Sequence, residues 1–129
     1  MRSLIALALV AISSPALTAP LTVRTGESWL FTIKDGDLVG VHKVAAAAKP
    51  AKGEVMVTVR AMFGTAMIMT NNSRIPYTFS AELLSGGKAT AARACSLPAG
   101  AKPIYEQWEQ KADAVRIGNF RAAGLEGRC

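Results

Sequence analysis

Apolar and polar residues alternate along most of this chain, and the alternation has the period of a β-strand. Trp29, Phe31 and Ile33 fall on one face, with Thr32 and Lys34 on the other. Val55, Val57, Val59, Ala61 and Phe63 line one face of a second segment, opposite Thr58 and Arg60. Tyr77, Phe79, Ala81 and Leu83 alternate with Thr78, Ser80 and Glu82, the cleanest instance in the chain. Ala66 to Asn71 predicts a short strand whose two faces are both fairly apolar, and Val115 with Ile117 marks another.

Turn residues separate these segments. Asp35-Gly36 suits a tight hairpin leading into Leu38 to Val44, because the favoured two-residue turn needs positive φ at both central positions. Pro50 to Gly53, Asn71 to Pro76, Ser85-Gly86-Gly87 and Pro98-Ala99-Gly100 punctuate the rest. Short strands with a turn every eight to twelve residues or so predict an all-β, antiparallel sandwich of about seven to nine strands. Two stretches compete with this reading. Ala45 to Ala48 has helix propensity, but a run so short before Pro50 makes a marginal helix. Ile104, Trp108, Ala112 and Val115 fall at helical spacing, with Pro103 placed for a first turn and Gly118 for a C-cap. The strand alternative puts Ile104 and Trp108 on one face with a turn over Gln110 to Asp113, and it is preferred because Pro98 and Gly100 set up a hairpin.

The N-terminus departs from the alternation. Met1 and Arg2 form a positive start, Leu4 to Ile12 are uninterruptedly apolar, and Ser13 to Ala19 supply small residues. These are the three parts of a cleavable secretory signal. Small side chains at Ser14 and Ala16 favour cleavage after Ala16; cleavage after Ala19 is the alternative, with Pro20 obstructing the bond. The apolar run is far short of the ~20 residues that span a bilayer, and Pro15 and Pro20 prevent its extension as a helix. The expected organisation is a signal peptide over 1–16, a flexible lead over 17–25 and a single domain over 26–129. The expected location is the periplasm or the cell exterior, and no later segment is long and apolar enough to span a membrane. In such an oxidising compartment Cys95 and Cys129 are expected to form a structural disulfide that ties down the chain's last residue.

One pattern in the C-terminal half resembles a known group. Thr70 to Leu83 (TNNSRIPYTFSAEL), Cys95, Pro98 to Trp108 (PAGAKPIYEQW) and Gly118 to Phe120 (GNF) resemble uncharacterised small exported, periplasmic β-sandwich proteins of proteobacteria. The resemblance implies an immunoglobulin-like sandwich and carries no activity with it.

Charge and candidate chemistry narrow the function further. The chain's formal net charge is +6, of which Arg2 leaves with the signal. The positive balance draws an exported protein toward anionic envelope surfaces, while the scatter of the basic residues equally suits solubility alone and argues against a nucleic-acid interface. His42 is the chain's one histidine, so a triad has no second choice of base, and no Gly-x-Ser-x-Gly elbow is present. No pair of carboxylates stands out for glycoside chemistry, and Gly86-Gly87-Lys88 lacks the remaining residues of a phosphate loop. The expectation is a non-enzymatic protein with no cofactor, acting by contact with an envelope protein, through an exposed strand edge, or with an anionic envelope surface. The alternative is a copper carrier: His42 with Met67 and Met69, and Met56 and Met62 nearby on another strand, are residue types that suit copper. Methionine also fills irregular cores, and Trp29 and Trp108 are read as core residues.

Overall fold

The computed structural model describes residues 19–94 and 96–124. The expected signal, its cleavage sites at Ala16 and Ala19 (the latter at the first described residue), and the two cysteines lie outside or at the margin of that range. The described chain forms nine strands: β1 (Leu21–Arg24), β2 (Ser28–Lys34), β3 (Asp37–Val44), β4 (Val55–Ala61), β5 (Thr65–Asn71), β6 (Tyr77–Ser85), β7 (Lys88–Ala92), β8 (Ile104–Trp108) and β9 (Ala114–Ala122). They make a four-stranded sheet, β1-β9-β6-β7, and a five-stranded sheet, β3-β2-β4-β5-β8, with antiparallel pairing throughout. This is the all-β sandwich that the alternation predicts. Its first strand pairs with its last, whereas the constant-type immunoglobulin order places strand A beside B.

The local chemistry of the hairpins follows the sequence. Asp35 and Gly36 both take positive φ, 53° and 85°, and close β2 onto β3 with Lys34 opposite Asp37. Gly86 and Gly87 do the same between β6 and β7. Ala45 to Ala48 is a turn, closed by the Ala48 amide donating to the Ala45 carbonyl at 3.0 Å. Residues 104–117 are strand, then turn, then strand, as preferred over the helix. The two strands do not form a hairpin, because the chain crosses from one sheet to the other between β8 and β9.

The core lies between the sheets. Phe31, Val55, Val57, Val59, Met67 and Met69 face it from the five-stranded sheet, and Val23, Tyr77, Ala81, Leu83, Val115, Ile117 and Phe120 from the other. Phe120 is its aromatic centre, with ring centroids 5.5 Å from Phe79, 5.7 Å from Phe31 and 6.3 Å from Tyr77. Leu97, from the connection before β8, is fully buried in the same cluster.

Three expectations are corrected. Residues 17–25, read as a flexible lead, contain β1, whose Leu21 and Val23 are buried and whose backbone pairs with β9. Phe63, read as the end of the Val55 face, lies beyond the strand: the chain turns at 62–64, and the ring is 90% exposed. Trp29 and Trp108 are half-buried and pack against the core from its margins. Each spends its indole N–H outside the core, on the Glu27 carboxylate (3.0 Å) and on the Arg93 carbonyl (3.0 Å) respectively.

Glu27 is the hub of a small polar cluster at the start of β2. Its Oε1 accepts from the Trp29 indole and from the Arg24 amide, and its Oε2 pairs with Lys43 Nζ at 3.3 Å. The Trp29 hydrogen bond first, then that of Arg24, hold the carboxyl below the usual glutamate range; partial burial opposes them, and Lys43 adds to them. A depressed folded pKa means that the stabilisation is complete above the unfolded value of about 4.3 and is lost as pH falls through the lower folded value. Urea unfolding of the wild type and Glu27→Gln at stepped pH should therefore show the wild type's advantage at neutral pH shrinking once pH drops below about 4. A difference that stays constant down to acid pH would contradict this account of Glu27.

Candidate functional site

Pairing registers determine what the outer face of the five-stranded sheet carries. Leu30 lies opposite Met56 and Met56 opposite Thr70; Ser28 lies opposite Thr58 and Thr58 opposite Ile68. Because strand neighbours alternate faces, these residues all point away from the core that holds Val57, Met67 and Met69. Yet Ser28, Leu30, Met56 and Thr58 are buried. The connection between β3 and β4 flanks Met56 and Thr58, and the Ser28 and Thr58 hydroxyls satisfy one another at 2.8 Å.

Asn71 and Asn72 organise the walls. Asn72 donates from its side chain to the Pro50 carbonyl at 3.0 Å, and its backbone exchanges bonds with Gly53 and Glu54, which fastens the β3–β4 connection to the end of β5. The Asn71 carbonyl accepts from the Ala101 amide at 2.8 Å, fastening the segment before β8 on the other side. The buried Asn71 side chain donates to Ile75 and accepts from Ser73. The Asn-Asn-Ser stretch thus forms the turn expected of it.

Between these walls is a concavity of about 520 Å³, within the range of small-ligand sites. Met56, Thr58 and Arg60 of β4 and Ile68 and Thr70 of β5 form its floor. Ala46, Ala48, Lys49 and Pro50 form one wall, Ala101 and Pro103 the other, and Asn72 closes an end. Its ionisable lining is Lys49 and Arg60, with no carboxylate, and neither cation is in an ion pair among the described residues. The outer face of the opposite sheet differs, because there Arg116 is neutralised by Glu82 at 2.7 Å. The lining has no histidine or cysteine beside its threonine hydroxyls. What it offers is two uncompensated positive charges, hydroxyl and amide donors, and apolar area.

The sequence-predicted ligands are not gathered here. Met67 and Met69 share a face, as expected, and it is the inner one, where both are fully buried among Val57, Val59 and their neighbours. His42 sits on the edge strand β3, opposite Leu30, exposed on the outer face with Nδ1 2.9 Å from the Gly40 carbonyl. The sheet therefore separates His42 from both methionines. Met56 is buried on the outer face, and Met62 lies past the end of β4. Of the residues that line this concavity, the sequence reading missed Lys49, Arg60, Met56 and Ile68 as a group. The available signal was the two-sided apolar character of residues 66–71, which places Ile68 on an outer face.

Comparison with protein-family models, with curated proteins and with solved structures finds no match. No helix among the described residues is long and apolar enough to cross a membrane.

Proposed function

We propose that this is an exported, non-enzymatic protein that works by contact, and that it binds an anionic group of the cell envelope in the concavity on the outer face of the five-stranded sheet. The observation that carries the reading is the pairing of Lys49 and Arg60 in a lining without a carboxylate. Each cation near an anionic surface contributes about 1 kcal/mol of attraction, and two in one concavity select for a concentrated negative charge. The rest of the lining suits the less polar surroundings of such a group. Export accords with the N-terminal signal pattern and with the resemblance to small exported proteins. It also entails a Cys95–Cys129 disulfide, detectable as the loss of two hydrogens in the intact mass.

Co-sedimentation tests the reading. Vesicles of phosphatidylcholine containing phosphatidylglycerol should retain the protein at low salt and release it at about 0.5 M salt, where the screening length falls to a few ångströms. Reversing both charges, Lys49→Glu with Arg60→Glu, should weaken retention at least about tenfold while leaving the melting temperature unchanged, since both side chains are exposed. Undiminished retention of that variant would remove the concavity from the account.

A further inference from the structure

The most exposed large apolar side chain among the described residues is Phe63, at the tip of the β4–β5 hairpin. Its backbone has φ of 48°, in the left-handed region, where bulky residues are rare and glycine or asparagine is easily accommodated. The ring recovers nothing for this strain within the fold, being 90% exposed. Strain held at an exposed position points to use of the side chain elsewhere.

The tip is held firmly. Tyr105 on β8 donates its hydroxyl to Met62 Sδ at 2.7 Å, and the Gln107 side chain donates to the Met62 carbonyl at 2.9 Å. Gly64 lies so close to the backbone of Trp108 and Glu109 that a Cβ there would stand 2.2 Å from the Trp108 carbonyl oxygen. Behind it, Thr65 is fully buried, donating to the Gln110 carbonyl at 2.9 Å and accepting from the Ala112 amide at 2.8 Å. Met62 and Tyr105 are themselves exposed, at 37% and 52%. The result is a braced apolar knob whose own residues, Ala61 to Thr65, include no charge, with Arg60 next to it in the chain.

We infer that this tip anchors the protein to an anionic lipid bilayer, Phe63 entering the acyl-chain boundary while Arg60 engages the headgroups. The inference rests on the anionic-contact reading and names its partner. A convex knob needs no matching pocket in a bilayer, and aromatic residues with adjacent cations are the usual composition of an interfacial anchor. Tyr105, with an apolar ring and a polar hydroxyl, suits the headgroup level. Charge complementarity selects the anionic bilayer: Arg60 adjoins the tip and lines the cationic concavity, and the full chain's net charge of +6 stays positive when Arg2 leaves with the signal.

The full mature chain carrying Phe63→Trp tests this by fluorescence, with the wild type supplying the background of Trp29 and Trp108. On phosphatidylglycerol-containing vesicles the added indole should shift to the blue and be quenched by brominated acyl chains, and on pure phosphatidylcholine it should do neither. Phe63→Asn should keep or raise the melting temperature, by relieving the backbone, and weaken vesicle affinity at least about fivefold. Vesicle binding in which the added indole does not shift and Phe63→Asn binds undiminished would overturn the anchor and leave the anionic reading standing. Failure to bind vesicles, with salt-sensitive binding to a soluble acidic polysaccharide, would overturn the bilayer as partner. Binding to neither would overturn both readings.

Discussion

Phe120→Ala should cost the fold about 3–5 kcal/mol, the usual range for emptying a buried aromatic position. The ring is 2% exposed and touches both sheets: Phe31 belongs to the five-stranded sheet, and Tyr77 and Phe79 to the four-stranded one. Phe31 and Ile117 are themselves fully packed, so neither can move into the space without giving up its own contacts. Against a total stability of about 5–15 kcal/mol, the loss is a large share. Urea unfolding should show the midpoint falling sharply at nearly constant slope. A loss under about 1 kcal/mol would mean that the two sheets are not held together through this ring.

Gly64→Ala should be nearly as damaging, by a different route. At φ of 111° an L-residue is strained, and the new methyl would stand 2.2 Å from one backbone carbonyl oxygen and 2.6 Å from the next. Neither obstacle is a flexible side chain, so the hairpin and the end of β8 must move apart. Strain at positive φ and overpacking each cost about 1–3 kcal/mol, so the expected loss is on the order of 3 kcal/mol. The control is Gly53→Ala, which also has positive φ (91°) but nothing within 4 Å of the added carbon. Its cost should be the smaller, near the conformational term alone. Equal melting temperatures for the two variants would contradict the steric account, and with it the bracing of the tip.

These two sites also show what the sequence makes legible. Phe120 sits in a strand that Val115 and Ile117 already mark, but period two from those residues points to Asn119. A register shift opposite Thr78 and Ser80, with Asn119 at a φ of 56°, turns Phe120 inward instead, and no local pattern announces it. The turn at Gly64 is hidden by its neighbours: Ala61, Met62 and Phe63 prolong an apolar run, so the alternation reads on past the point where the chain reverses. β1 is hidden by its length. Leu21 and Val23 alternate with Thr22 and Arg24, but four residues carry little signal until β9 is known to be their partner. β7, Lys88–Ala92, is an exposed edge of small and polar residues and has no apolar face to betray it.

The site was legible only in part, because it depends on long-range pairing. Local pattern places Met67 and Met69 on one face, but it cannot say that His42 lies on the other. That follows from the register through Leu30 and Met56. Likewise Lys49 and Arg60 are unremarkable in a chain of scattered cations. They line one concavity because Asn72 fastens Pro50 at its edge, a contact between residues 22 apart in sequence.

The contact face can be mapped directly. Amide resonances of the labelled mature protein, titrated with phosphatidylglycerol-containing vesicles or small bicelles, should shift or broaden at Lys49, Arg60, Ile68 and Thr70 and across 62–64. The outward residues of β6 and β9, around Glu82 and Arg116, should stay unmoved. Perturbation centred on that opposite sheet, with the residues around Lys49 and Arg60 silent, would contradict the account.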